Sequence, residues 1–254
     1  MTYTCLADLY HGEPKRAVAT SAMDGDPAIR SLHTPPFKAR PLTRRERRDE
    51  DLYAFQSPKG RRLVEVLGVP TFCLALLLEF NPQISAYVER PRTLGTPASR
   101  LELSFWIQDR QGRERFLLIV PTAESLPAQS GRRTHRRAEA LLEAASAASI
   151  QLLFISEPDL LEQRARIAQA LRMLPYVQDV QRLPHRLYLR ERVLSLLATN
   201  PRVRFSQVEH SLSDFVASDV RAVVCDLIHQ GDLALDLEAT LTMNSIVNAG
   251  GRHE

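Results

Sequence analysis

The sequence predicts an α/β domain over residues 59–182 and a small helical domain over residues 183–250. Three observations carry this. Residues 72–80, FCLALLLEF, form an apolar helical stretch, and a polar–apolar alternation and then a continuous apolar run, Phe116 to Val120, follow it. Beyond that run, helical and extended patterns alternate, the order of an α/β domain. From Arg186 onward, three helix-length segments precede two short apolar segments.

Each element has a local reason. The stretch 72–80 is too apolar for an exposed helix and should lie against a sheet. Asn81-Pro82 ends it, because proline disfavours helical geometry in the residue before it. Leu101, Leu103, Phe105 and Ile107 alternate with Glu102, Ser104 and Gln108, which predicts a half-buried strand. Asp109 to Gly112 is turn chemistry. The run 116–120 suits a central strand covered on both faces. Residues 136–148 are rich in alanine and predict a helix. Residues 151–155 predict a short strand, and Ser156 with Asp159 marks the start of the next helix.

Residues 1–58 read differently. Pro14, Pro27, Pro35, Pro36 and Pro41 break any long element, and residues 20–40 hold few large apolar side chains. This predicts an extended, partly disordered N-terminal arm that orders on a partner. Residues 44–53 fit a short charged helix.

In the second domain, residues 186–198, 205–210 and 218–229 predict three helices, with Ser218 as cap of the third and Gly231 closing it. Residues 233–237 and 241–246 predict two wing strands. Three helices and a hairpin in this order point to a winged helix, a relative of the helix-turn-helix. Arg221 on the third helix is its candidate DNA contact. Phosphate contacts dominate DNA affinity and need several cations, so this helix fits protein contact as well as DNA.

Composition narrows the classes. A 254-residue chain with 44% hydrophobic and 25% charged residues is ordinary globular protein. No stretch reaches the ~18 apolar residues that span a membrane, and the N-terminus lacks the order of a secretory signal. With Cys5, Cys73 and Cys225 far apart, the expectation is a reduced cytoplasmic protein. The net charge of +3 hides clustered arginines. The segment 131–137, GRRTHRR, has no internal acid, so Arg132, Arg133, Arg136 and Arg137 are the leading candidates for contact with double-stranded DNA. His210 and His229 have no zinc-site spacing and are expected at the surface or at a cap. No phosphate-binding glycine loop is present.

Helix, hairpin and central strand in this order form the skeleton of many metal-dependent nucleases. The wording LLLEFNPQISAYVERP also resembles the "LLEFDP-x-V-x-x-Y-x-x-QP" signature of TnsA-like endonuclease subunits of heteromeric transposases. The resemblance covers residues 60–125 well and implies a restriction-endonuclease-like α/β fold. The family cuts DNA with an acid at the helix start, an Asp in a "PDF" strand and an "(E/Q)-x-K" on the next strand. At those positions this chain has Val69, Ser104, Ile119 and Pro121. Carboxylates must hold Mg²⁺ and a lysine must orient the attacking water; these four side chains do neither.

The resemblance therefore implies a catalytically degenerate subunit without a cofactor. Its expected partners are a TnsB-like DDE transposase, a TnsC-like AAA+ regulator and transposon-end DNA. Two alternatives stay open. Glu102 and Glu114 can stand in for lost ligands in a Mg²⁺-dependent endonuclease, or the chain is a winged-helix DNA-binding regulator.

Overall fold

The computed structural model describes residues 35–96, 99–127, 133–235 and 241–250. Its first element is the short helix α1 (Arg44–Asp49), opened by a capping box between Thr43 and Glu46. A hairpin follows, β1 (Leu52–Ser57) against β2 (Arg62–Leu67), with Arg61 in the left-handed region at the turn. Phe55, Val64 and Val66 of this hairpin are buried. Residues 52–58 therefore belong to the domain and not to an arm; residues 1–34 lie outside the described part. Phe37 also packs inward, against the rings of Trp106 and Phe116. Proline broke the periodicity here without preventing docking.

Helix α2 (Val69–Glu79) starts after Gly68, whose φ is +75°, and carries proline in its first turn. It is buried all round from Leu74 to Glu79, as its composition required. Strands β3 (Ile84–Glu89), β6 (Phe105–Asp109), β7 (Glu114–Val120) and β10 (Leu152–Ser156) form the central sheet in the order β10-β7-β6-β3. β10 runs parallel to β7, and the other pairs are antiparallel. The turn at Gly112 has φ +78°. Strand β7 is central. Leu117 and Ile119 face the core with α2, while Phe116 and Leu118 face the core with α3 (Ala138–Ala147).

Two small hairpins flank this sheet: β4 (Thr93–Thr96) with β5 (Ser99–Glu102), and β8 (Ser125–Pro127) with β9 (Arg133–His135). The expected single strand over 101–107 is thus two strands in two sheets, broken at Leu103-Ser104. Alternation continues across the break because Leu101, Leu103 and Phe105 all turn inward.

Helix α4 (Glu157–Glu162) has the expected Ser156–Asp159 capping box. Helix α5 (Arg164–Asp179) joins the two halves: Ala170 and Leu174 enter the first core, Met173 and Val177 the second. The second core is built from α6 (Arg186–Thr199), α7 (Phe205–Ser211), α8 (Ala217–Gln230) and a sheet of order β11-β13-β12. Its strands are β11 (Arg202–Arg204), β12 (Leu233–Leu235) and β13 (Ile246–Ala249). Helix α8 begins at Ala217 without a side-chain cap, so Ser218 is not its cap; Gly231 closes it at φ +84° as expected. The strand expected over 241–246 starts only at Ile246, five residues later.

No helix among the described residues is long and apolar enough to cross a membrane.

Candidate functional site

The β6–β7 pairing brings together two of the four motif positions. The Ser104 amide donates to the Leu117 carbonyl (2.9 Å), and Ser104 Oγ accepts from the Ile119 amide (2.9 Å). Ser104 and Ile119 are both half-buried, and Ile119 packs on the first core. Pro121 follows the end of β7, before a 3₁₀ turn, Thr122–Glu124. There the Glu157 carboxylate holds the Thr122 amide (3.1 Å) and hydroxyl. Val69 stands exposed at the start of α2.

Neither proposed substitute acid reaches this place free. Glu102, at the end of β5, is clasped by the Arg40 guanidinium, which also grips Glu46 (2.6 Å). The Arg40 hydrogen bond, followed by those from Thr43, holds the Glu46 carboxyl down to about 2. Glu114 lies at the turn end of β7 and accepts from Trp106 Nε1 (3.1 Å). Among the described residues, no group of three or more His, Cys, Asp or Glu side chains is arranged to hold a metal ion.

The basic cluster is largely engaged within its own hairpin. Arg133 donates to Ser125 Oγ (2.7 Å) and Arg136 meets Glu124 (3.3 Å). His135 is buried, bonds Glu124 (3.0 Å) and stacks on Phe154. Arg137 is half-buried, and its amide donates to His135 Nδ1 (2.9 Å). Arg132 lies outside the described residues. On α8, Arg221 is held by the Glu209 carboxylate.

The most developed polar arrangement is one that sequence reasoning missed. Glu79, at the C-terminal end of α2, is fully buried. Its carboxylate accepts from Ser57 Oγ (2.6 Å), Tyr87 OH (2.6 Å) and the Lys59 amide (2.9 Å), and it pairs with His229 Nε2 (2.8 Å). Lys59 Nζ caps the end of the same helix through the Leu78 and Asn81 carbonyls. Burial pushes the Glu79 carboxyl up, but His229, Lys59 and Ser57 together hold it below the usual carboxylate range. Burial and the Glu79 charge drive the Tyr87 phenol well up. Beside the node, Arg62 forks onto buried Glu89 (2.8 and 2.5 Å) and lies over the Tyr87 ring.

An ionised carboxylate offers about four acceptor sites, and four partners face this one. It has no free lone pair for a substrate and acts as a fixed post. His229 is not a surface residue: it sits on α8, 150 residues from Glu79, with Phe80 edge-on to its ring. Close by, Arg110 donates to the Gln230 carbonyl (2.7 Å), and Gly231 lies against Pro82. The signature residues Glu79, Pro82 and Tyr87 thus meet one another or the second domain. The available signal was a lone carboxylate inside a nine-residue apolar run, since a buried charge must be paired.

No protein-family model matches the chain, and no curated protein matches it.

Proposed function

We propose that the chain is a catalytically degenerate TnsA-like subunit of a DNA transposition complex, acting as an architectural partner of a DDE transposase. The proposed architecture is a restriction-endonuclease-like domain followed by a winged-helix-like domain. One observation carries the reading. In the unit α2-β3-β6-β7-α3-β10, the Ser104 hydroxyl, in the bend before β6, accepts from the Ile119 amide of β7, at the positions that the resemblance assigns to metal ligands. A hydroxyl and an aliphatic chain stand there in place of carboxylates. Divalent metal catalysis needs several anionic oxygens to fix the ion.

The displaced-ligand alternative is disfavoured by the arginine on Glu102 and by the remoteness of Glu114. The helix order α6-α7-α8 with the sheet β11-β13-β12 fits a winged helix, with β11 between the first two helices. The TnsC-like AAA+ regulator is a further partner that the same reading implies.

The test is co-expression of the full chain with a DDE transposase encoded beside it. Stable co-purification is expected. Absence of any complex, with both proteins folded, would contradict the reading.

A further inference from the structure

A two-stranded hairpin has two edges, and the β1–β2 hairpin covers them unequally. In an antiparallel pair, residues whose amide and carbonyl face the partner strand alternate with residues whose groups face away. The Gly68 amide donates to the Asp51 carbonyl (2.9 Å), in the register that pairs Leu52 with Leu67. That phase turns the backbone groups of Tyr53, Phe55 and Ser57 toward β2 and those of Leu52, Ala54 and Gln56 away from it. On β2 it turns Glu65 outward, and Arg90 caps the Glu65 carbonyl (2.6 Å). Arg62 of β2 reaches on to the Tyr87 carbonyl of β3 (3.1 Å). On β1 the Gln56 carbonyl accepts from Gln178 of α5 (2.8 Å). Among the described residues, the amides of Leu52, Ala54 and Gln56 and the carbonyls of Leu52 and Ala54 meet no hydrogen-bond partner.

An open edge is a template for another strand, and proteins normally blunt it with charge, proline or a bulge. Strand β11 carries Arg202 and Arg204, β5 carries Arg100 and Glu102, and β3 has a register shift. Strand β1 reads Leu-Tyr-Ala-Phe-Gln-Ser, without charge or proline, and its register is unbroken. Its outer side chains, Leu52, Ala54 and Gln56, are all exposed, as is Leu63 opposite Gln56.

Charge lies at the two ends of the strand and differs in sign. Exposed Glu50 and Asp51 precede it, and exposed Arg61 stands in the turn that follows it. None of these three has an ion-pair partner among the described residues.

We propose that β1 pairs antiparallel with β1 of a second copy, about a twofold axis at Ala54, to give a continuous four-stranded sheet in the order β2-β1-β1-β2. Leu52 then faces Gln56 of the other copy, and its amide takes the place of Gln178 at the Gln56 carbonyl. The twofold makes the contact self-complementary. It brings Glu50 and Asp51 of each copy beside the other's Arg61, whereas a parallel arrangement would set acid against acid. A neutral strand places no like charges opposite each other. On the exposed face, Leu52 and Leu67 of one copy fall in one row with Leu63 of the other.

The experiment is sedimentation equilibrium of the full-length protein over a concentration series, with hydrogen exchange of the β1 amides. The wild type should reach twice the chain mass, and the amides of Leu52, Ala54 and Gln56 should gain protection as concentration rises. Ala54→Lys sets two cations against each other on the axis, and Ala54→Pro removes an amide that bonds nothing within one copy. Both should remain monomeric, Ala54→Lys with the melting temperature of dilute wild type. Glu50→Lys should weaken the dimer several-fold, and adding Arg61→Glu should restore it. A wild type that stays monomeric at its highest soluble concentration would overturn the proposal. So would a dimer that persists in Ala54→Lys, which would rest on another surface, or one whose three amides stay unprotected.

Discussion

Replacing Glu79 with alanine should be the most damaging single change in the interior. The wild-type carboxylate is fully buried and satisfies Ser57, Tyr87, Lys59 and His229 at 2.6–2.9 Å. Its loss orphans donors from β1, β3 and α8 together with the turn after β1. One unsatisfied buried donor costs about 1–3 kcal/mol, and several are left here at once. Some donors will relax toward other acceptors, so about 3–5 kcal/mol is expected for the whole node, against a total stability of about 5–15 kcal/mol for a typical protein. Urea unfolding followed by fluorescence of Trp106, the one tryptophan and fully buried, gives the number. Because Glu79 ties both cores, wild type should unfold in one transition and Glu79→Ala should separate two.

The pH dependence has a definite sign. Glu79 titrates lower folded than unfolded, so its stabilisation is complete above the unfolded carboxylate value of about 4.3 and is lost as pH falls through the folded value. The gap between wild type and Glu79→Ala should be constant near neutrality and close in acid. A deficit under about 1 kcal/mol, the net worth of one ordinary hydrogen bond, would refute the reasoning.

Other outcomes follow from particular contacts. Gly231→Ala places a Cβ 2.7 Å from that of Pro82 at φ +84°, and such strain costs about 1–3 kcal/mol; a lowered melting temperature checks it. Burial pushes the Cys225 thiol up to about 12, so a thiol reagent at neutral pH should leave Cys225 unmodified until the protein is denatured.

What the sequence revealed follows from range. The helix at 72–80, the β6–β7 hairpin, the central strand and the Ser156 cap were legible because each is set by neighbours within a few residues. Leu101 to Ile107 misled because alternation reports which side is buried, not whether one strand or two carry it. The β1–β2 hairpin was obscured by the prolines before it, although Phe55, Val64 and Val66 keep the required spacing. Glu79 and His229 were illegible as a pair because their contact spans 150 residues, and no local pattern encodes a partner at that distance. Arg133, Arg136 and Arg221 illustrate the converse: their charge was plain in the sequence, but Ser125, Glu124 and Glu209, which engage them, were visible only in the fold.

We propose that a nuclease-type scaffold persists here without its metal-holding side chains. Incubation of the full-length protein with supercoiled plasmid and Mg²⁺ or Mn²⁺ tests it most directly. The account predicts that the plasmid stays intact; nicking that disappears in Glu102→Ala would contradict it.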